Sequence, residues 1–312
     1  MQYKLNYFGQ YLRDLREKLR LSQSDVCDLS GVSEKTLRRI EAGKVLPKFE
    51  TLEILSSIYK KDLNLLLLEY RDEAYPLFLD AQNKLEKRLN ENDIANLNKI
   101  LKELEYLSKI MQSDYYVLLT RQLILLTEAV VLYKLDKKFN EAYYRLLNAI
   151  KLTTSDFNLD NYTDFAYSSM EVRILMNIAF VLNKLGDKEK YIEIMEFIFD
   201  YIEYSDSIYP KICHNLGVAY KRAEKYKKAV KFAELGIEYC KENQQFNGLP
   251  ILYYGKGVAE FSLQDDEYIR SIKKAIYLCE ACGNKKLKSF ILSKCKNSLK
   301  PQFDFEAVCL DD

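Results

Sequence analysis

The residues of this chain best suited to chemistry crowd into positions 34–39, and the chemistry they offer is hydrogen bonding and ion pairing with cations in excess. Glu34, Lys35, Thr36, Arg38 and Arg39 stand in the stretch EKTLRRIE, whose apolar Leu37 and Ile40 are spaced as one face of a short helix. The opposite face then carries a carboxylate that can accept hydrogen bonds, and a lysine and two guanidiniums that can donate them. Other chemistry finds little support. Cys279 and Cys282 form a single C-x-x-C, and without a second pair they are read as packed thiols rather than metal ligands. His214 is the one histidine, so no metal cluster or second imidazole can be built around it. No P-loop, G-x-G-x-x-G or H-E-x-x-H occurs. The expectation is no catalytic residue, no metal, no cofactor, and a protein that is not an enzyme.

The elements that must hold these groups are short helices with their own punctuation. Phe8, Leu12, Leu15 and Leu19 make a stripe on a first helix. Ser22 caps a second, SQSDVCDL, with Val26 and Leu29 inward. Gly31 supplies a turn where a positive φ is expected, Val32 packs inward, and Ser33 caps the third helix. Gly43 ends it, Pro47 closes the next loop, and Leu52 and Leu55 mark a fourth helix. Asp62 caps a fifth with Leu63, Leu66 and Leu67. Lys44 and Lys48 flank the loop after the third helix, where they can meet phosphate. Residues 1–66 carry 12 Lys/Arg against 9 Asp/Glu, while the whole chain is only +1. A basic head on a near-neutral body fits a nucleic-acid reader joined to something else.

Cap, helix, glycine turn, cap, helix is the helix-turn-helix. Leu21-Ser22-Gln23, Gly31-Val32-Ser33, Leu37, Ile40-Glu41, Gly43-Lys44, Pro47 and Leu52 resemble the lambda-repressor and Cro-like family. The resemblance implies that the third helix enters the major groove, with Glu34, Lys35, Thr36, Arg38 and Arg39 at base edges. It makes Gln23 a phosphate contact. It makes Arg16 and Glu41 a partly buried pair that ties the first helix to the third. One such module neutralises few phosphates, so a homodimer on a palindromic double-stranded operator is expected.

The rest of the 312 residues reads as helix after helix. The chain is 48% hydrophobic and 30% charged with only 10 Gly and 5 Pro, and no glycine falls between Gly43 and Gly186, which leaves little turn chemistry for strands. The start lacks an apolar signal core, and no apolar run looks long enough to span a membrane; the longest noted is LNLLLLEY at 63–70. Seven scattered cysteines fit reduced thiols. A cytoplasmic, all-α protein without membrane contact is expected.

Four segments fall on one register: Ala129-Val130 with Tyr133, Phe139 and Ala142; Ile178-Ala179 with Leu182, Lys188 and Tyr191; Leu216-Gly217 with Tyr220, Tyr226 and Ala229; Val258-Ala259 with Ser262, Tyr268 and Ser271. The third, NLGVAYKRAEKYKKAVKFAELGIEYC, resembles a tetratricopeptide repeat, and an earlier helix pair is expected over 73–110. The equivalent positions 142, 191, 229 and 271 are 49, 38 and 42 residues apart, longer than the usual repeat of about 34. The expected fold is a lambda-repressor-like helix-turn-helix bundle over 1–67, followed over 68–312 by an α-solenoid of tetratricopeptide-like pairs.

That layout, with KICHNLGVAY, LPILYYGKGVAEF and YIRSIKKA in order, resembles the peptide-pheromone regulators of Gram-positive bacteria of the Rgg and PlcR type. The resemblance implies a transcriptional regulator whose repeats bind a short signalling peptide and mediate dimerisation. By position, Asn177 and Asn215 would clamp the peptide backbone. Tyr253 and Lys256 would lie on the corresponding face of the next repeat, with Arg173, Lys211 and Glu128 as further candidates. The alternative is a phage or mobile-element repressor whose repeats bind a protein partner.

Overall fold

The computed structural model describes residues 3–71, 74–90, 94–111 and 113–298. They are helical almost throughout. The only β-type pairing among them is an isolated antiparallel bridge between Tyr3 and Arg71. Contacts divide the chain into two compact units, Met1–Asp156 and Phe157–Asp312.

The first unit opens with α1 (Leu5–Lys18), α2 (Gln23–Ser30), α3 (Glu34–Glu41), α4 (Phe49–Tyr59) and α5 (Leu63–Glu69). Phe8, Leu12, Val26, Leu37, Ile40, Leu52, Leu55, Leu63, Leu66 and Leu67 form their common core, and Tyr59 joins them. Each start is fixed locally. Ser22 accepts from Asp25 N, and Asp25 returns the bond to Ser22 N. Ser33 accepts from Thr36 N and Asp62 from Leu65 N. Gly31 takes the left-handed conformation the turn needs, with φ 69°. Two expected core leucines are not in the core. Leu29 is 66% exposed, because eight-residue α2 buries only the turn around Val26. Leu19 is exposed because α1 has ended at Lys18 and the chain turns through Arg20.

Four helices follow in this unit: α6 (Ala74–Asn90), α7 (Leu97–Ile110), α8 (Asp114–Val131) and α9 (Phe139–Lys151), each packed on its neighbour. α6 and α7 occupy the stretch expected to hold an early pair. α8 runs on through a π-type turn, Leu132–Asp136. Contrary to the sequence reading, the resulting helix Asp114–Asp136 is long and apolar enough to cross a membrane. Its polar residues show what its apolar surface serves here: Thr120, Gln122 and Thr127 are wholly buried, and Gln122 donates to Ala149 O and Thr153 Oγ1 beside α9.

The second unit consists of α10 (Ser169–Leu185), α11 (Lys188–Tyr201), α12 (Tyr209–Arg222), α13 (Tyr226–Glu242), α14 (Leu249–Ser262), α15 (Glu267–Ala281) and α16 (Lys285–Ser298). Each packs on the next, and α12 also lies along α14. Antiparallel pairs whose first helices touch are the mark of a helical repeat. The wide spacing between positions 142 and 191 has a plain cause: residues 152–168, between α9 and α10, belong to no α-helix. Their second half is held by aromatic packing, with Tyr162 and Tyr167 edge-on to Phe197, and Tyr167 N donating to Tyr201 Oη at 2.6 Å. The C-x-x-C divides. Cys279 lies in the core with Cys213, Cys240 and Cys295, but Cys282, expected to be packed as well, is exposed because α15 stops at Ala281.

Candidate functional site

α3 has two faces with separate duties. The inner face buries Leu37, Ile40 and Glu41. Arg16 of α1 meets Glu41 with both ends of its fork, Nε to Oε1 at 2.7 Å and Nη2 to Oε2 at 3.1 Å, and its Nη1 donates to Leu21 O at 2.8 Å. Gln23, at the start of α2, donates to Glu41 Oε2 at 2.7 Å. One carboxylate thus ties three helices together, and a bidentate charged pair fixes orientation as well as distance. The hydrogen bond to Glu41 raises the Arg16 pKa above its ordinary value. Beneath the pair lies Tyr59, whose hydroxyl is pushed well above its usual range by burial and by Glu41. Backbone contact completes the joint. A Cβ on Gly9 would stand 2.5 Å from the carbonyl oxygens of Ile40 and Glu41, so only glycine lets α1 cross the end of α3 this closely.

The outer face carries the five expected base readers, all exposed. Thr36 is engaged at the cap, its Oγ1 2.8 Å from Ser33 Oγ. Glu34 and Arg38 pair with each other at 2.6 Å. Lys35 and Arg39 have no ion-pair partner among the described residues, nor do the exposed Lys44 and Lys48. α3 therefore brings the predicted readers together on one face, with two cations unspent. Gln23 is half-buried and already bonded to Glu41, a link that no local spacing announces because its partner is 18 residues away.

The candidates in the repeats are spread more widely. Glu128 is on α8 in the first unit, facing Arg145 at 3.4 Å; the other six are in the second unit. Arg173 and Asn177 are buried on α10, and Asn177 Nδ2 donates to Arg173 O of its own helix at 2.7 Å. Asn215 on α12 is half-buried, with Nδ2 3.8 Å from Met176 Sδ. Tyr191, at a position where repeats usually keep a small residue, reaches the Asn215 carbonyl with its hydroxyl at 3.3 Å. Burial pushes that hydroxyl up to about 12, with the Arg222 charge opposing.

Tyr253 and Lys256 line a different space, an open groove of about 470 Å³ between α13, α14 and α15 that also includes Glu234, Glu238 and Lys274. Lys256 bonds Glu234 at 2.7 Å and approaches the buried Glu260 at 3.5 Å. Lys274 lies 5.4 Å above the Tyr253 ring. The lining of that groove contains neither asparagine, so the expected set does not converge on one cavity there.

A row along α12 was not foreseen. Lys211, His214, Val218 and Lys221 recur at steps of three, four and three, the spacing of one helical stripe. Burial, with Lys221 and Lys211 adding, pushes the His214 imidazole down to about 4. Burial, with Arg222 adding, lowers Lys221. The spacing was visible in the sequence; the desolvation that gives it meaning was not.

Residues 8–66 match the family model described as a helix-turn-helix domain. By sequence, no curated protein matches the chain significantly. By structure, it is similar to PlcR of Bacillus thuringiensis in complex with the peptide PapR7 and DNA, with TM-score 0.72 and 15% identity over 93% of this chain and 100% of that one. It is similar to ComR of S. thermophilus in complex with DNA and its signalling peptide ComS, at TM-score 0.60 and 16% identity over 92% and 97% of the two chains. It is similar to the SHP pheromone receptor Rgg2 of Streptococcus dysgalactiae, at TM-score 0.56 and 14% identity over 93% and 99%. These likenesses show a shared fold along nearly the whole length: a helix-turn-helix head followed by helical repeats.

Proposed function

We propose that this chain is a cytoplasmic, sequence-specific DNA-binding regulator of transcription, whose repeat region binds a short signalling peptide and thereby controls a homodimer on a palindromic operator. The functional division falls at 67/68, with DNA read by the head and peptide bound by the repeats. The observation that carries the reading is α3: an outer face of five exposed polar side chains with no core duty, on a helix locked from behind by Arg16, Gln23 and Glu41. A rigid helix presenting unpaired donors is what base-edge recognition requires. In this reading Lys35 and Arg39 donate to guanine, while Lys44, Lys48 and Gln23 position the head on phosphates. The peptide half is supported by the fold shared with PlcR, seen with DNA and the peptide PapR7, and with ComR, seen with DNA and its signalling peptide ComS.

The test uses the full-length protein. Selection from a random DNA pool should return a two-fold symmetric site with half-sites about one helical turn apart, or a multiple of that. Affinity for it should fall steeply with salt. Sedimentation should show a dimer on that site, and native mass spectrometry of protein from its own cells should show a peptide mass bound to it. Recovery of no sequence, with salt-independent binding, would end the DNA assignment.

A further inference from the structure

The head meets the rest of the first unit where α5 ends at Glu69 and α6 begins at Ala74. Each residue of a connection has two soft dihedrals, so the angle between the two parts rests on what is packed around the joint. Two aromatic groups stand there. On the head side, Tyr70 lies edge-on to Phe8 at 5.5 Å and beside Tyr11 at 6.2 Å, between ring centroids. On the far side, Tyr116 of α8 packs against Tyr75 at 5.1 Å and Phe78 at 5.9 Å, both on α6.

Arg71 belongs to both groups. Its backbone forms the antiparallel bridge with Tyr3, and the neighbouring Lys4 N donates to Tyr70 O at 2.9 Å. The segment before α1 is thereby paired with the segment after α5. The guanidinium carbon lies 5.4 Å from the Tyr75 ring centroid, and the guanidinium also hydrogen-bonds the Tyr3 side chain. Burial raises the pKa of the Tyr116 hydroxyl, and the Arg71 charge opposes that rise, so α8 lies within its field too. A planar guanidinium can stack on one ring and donate in its own plane to a second group; an ammonium has no such plane. Arg71 is half-buried and engaged with rings, whereas Lys35 and Arg39 are exposed on the outer face of α3.

We propose that Arg71 determines which half-site spacing the protein accepts, by holding the head at one angle to α6 and α8. This rests on the two-fold operator reading above and names a specificity determinant that touches no base. Two linked heads engage two half-sites together only where their separation and facing match the DNA. A stiff joint makes that match narrow and keeps the effective concentration of the second head high at the matching spacing. A loosened joint spreads the second head over several spacings and lowers its concentration at each.

The test uses the full-length protein and the two-fold site returned by selection, with base pairs between the half-sites added or removed one at a time, beside a lone half-site. The unaltered protein should show one sharp optimum of spacing. Arg71→Met should lower affinity at that optimum about 10-fold and flatten the profile around it. Affinity for the lone half-site, and its slope against salt, should stay unchanged. Arg71→Lys keeps the charge without the planar fork and should flatten the profile as well. Tyr3→Phe removes a single hydroxyl and should flatten it less; it carries the test should Arg71→Met fail to fold. Profiles of Arg71→Met and Tyr3→Phe that superimpose on that of the unaltered protein overturn the proposal and leave the operator reading standing. Equal loss on the lone half-site and the pair, with a shallower salt slope and rescue by Arg71→Lys, also overturns it, because Arg71 would then be a phosphate contact. An unaltered protein without any spacing optimum overturns the operator reading and the proposal together.

Discussion

The head and the α10–α14 pairs handle polar side chains in opposite ways. In the head, structure and recognition are divided between the two faces of α3. Glu41 is buried and bonded to Arg16 and Gln23, while Lys35 and Arg39 stand in solvent with no internal partner among the described residues. In the repeats the same side chains serve both ends. Asn177 is buried and bonded to its own helix, Lys256 is paired with Glu234, and Tyr191 spends its hydroxyl on the next helix. A reader of DNA presents finished donors; a groove between helices draws its donors from groups the fold already uses. A peptide bound there, as proposed, would exchange partners with these groups rather than add new ones.

The sharpest way to break this contrast is at the joint behind α3. Glu41→Ala leaves Arg16 buried without its carboxylate and Gln23 without its acceptor. Losing one partner of a buried pair costs about 3–5 kcal/mol, so the thermal transition of the head should drop by many degrees and operator binding should be lost with it. A melt indistinguishable from the unaltered protein would show that packing around Leu37 and Ile40 suffices.

The outer face should respond quite differently. Arg39→Ala should leave the melt unchanged and cost about 1–3 kcal/mol at one base pair, relaxing choice there. Equal weakening on specific and random DNA, measured by competition, would remove Arg39 from the readers. In the repeats, Asn215→Ala should weaken a bound peptide by about 1–3 kcal/mol, as expected for a lost amide. Asn177→Ala should cost less, because its NH2 is turned onto Arg173 O. Titration calorimetry on both variants orders them, and unaltered affinity in the pair together would remove both asparagines from the peptide site. The smallest effect belongs to Lys44→Ala. It should lower affinity on all sequences alike and reduce the slope of log affinity against log salt by about one unit.

The same contrast explains what could be read in advance. The head was legible because its instructions are local: Ser22, Ser33 and Asp62 cap the helices that follow them, and Gly31 has the positive φ its turn requires. Leu29 and Leu19 were misplaced because periodicity marks a face without saying where the helix stops or whether a neighbour covers it. The repeats were legible as pairs, yet their register was stretched by residues 152–168, whose ordering comes from Tyr162, Tyr167, Phe197 and Tyr201 meeting across the chain. Tyr253 and Lys256 face the α13–α15 groove, and Asn215 leans on Met176. Shared register told that these residues sit on first helices, not which neighbour each would touch. The row from Lys211 to Lys221 was visible as spacing, and Lys211 was already a candidate, but its meaning lies in the desolvation of His214 and Lys221, which spacing does not show.

The division of α3 into a locked face and a free one also bears on how such a protein changes over generations. Gly9, Arg16, Gln23 and Glu41 hold the helix by backbone approach and buried charge, so each resists replacement. Lys35, Arg38 and Arg39 support no core contact. On the proposed reading, a duplicated copy can therefore drift at those three positions and acquire a new operator without passing through an unfolded ancestor. Diversity among descendants should gather on one side of a single eight-residue helix.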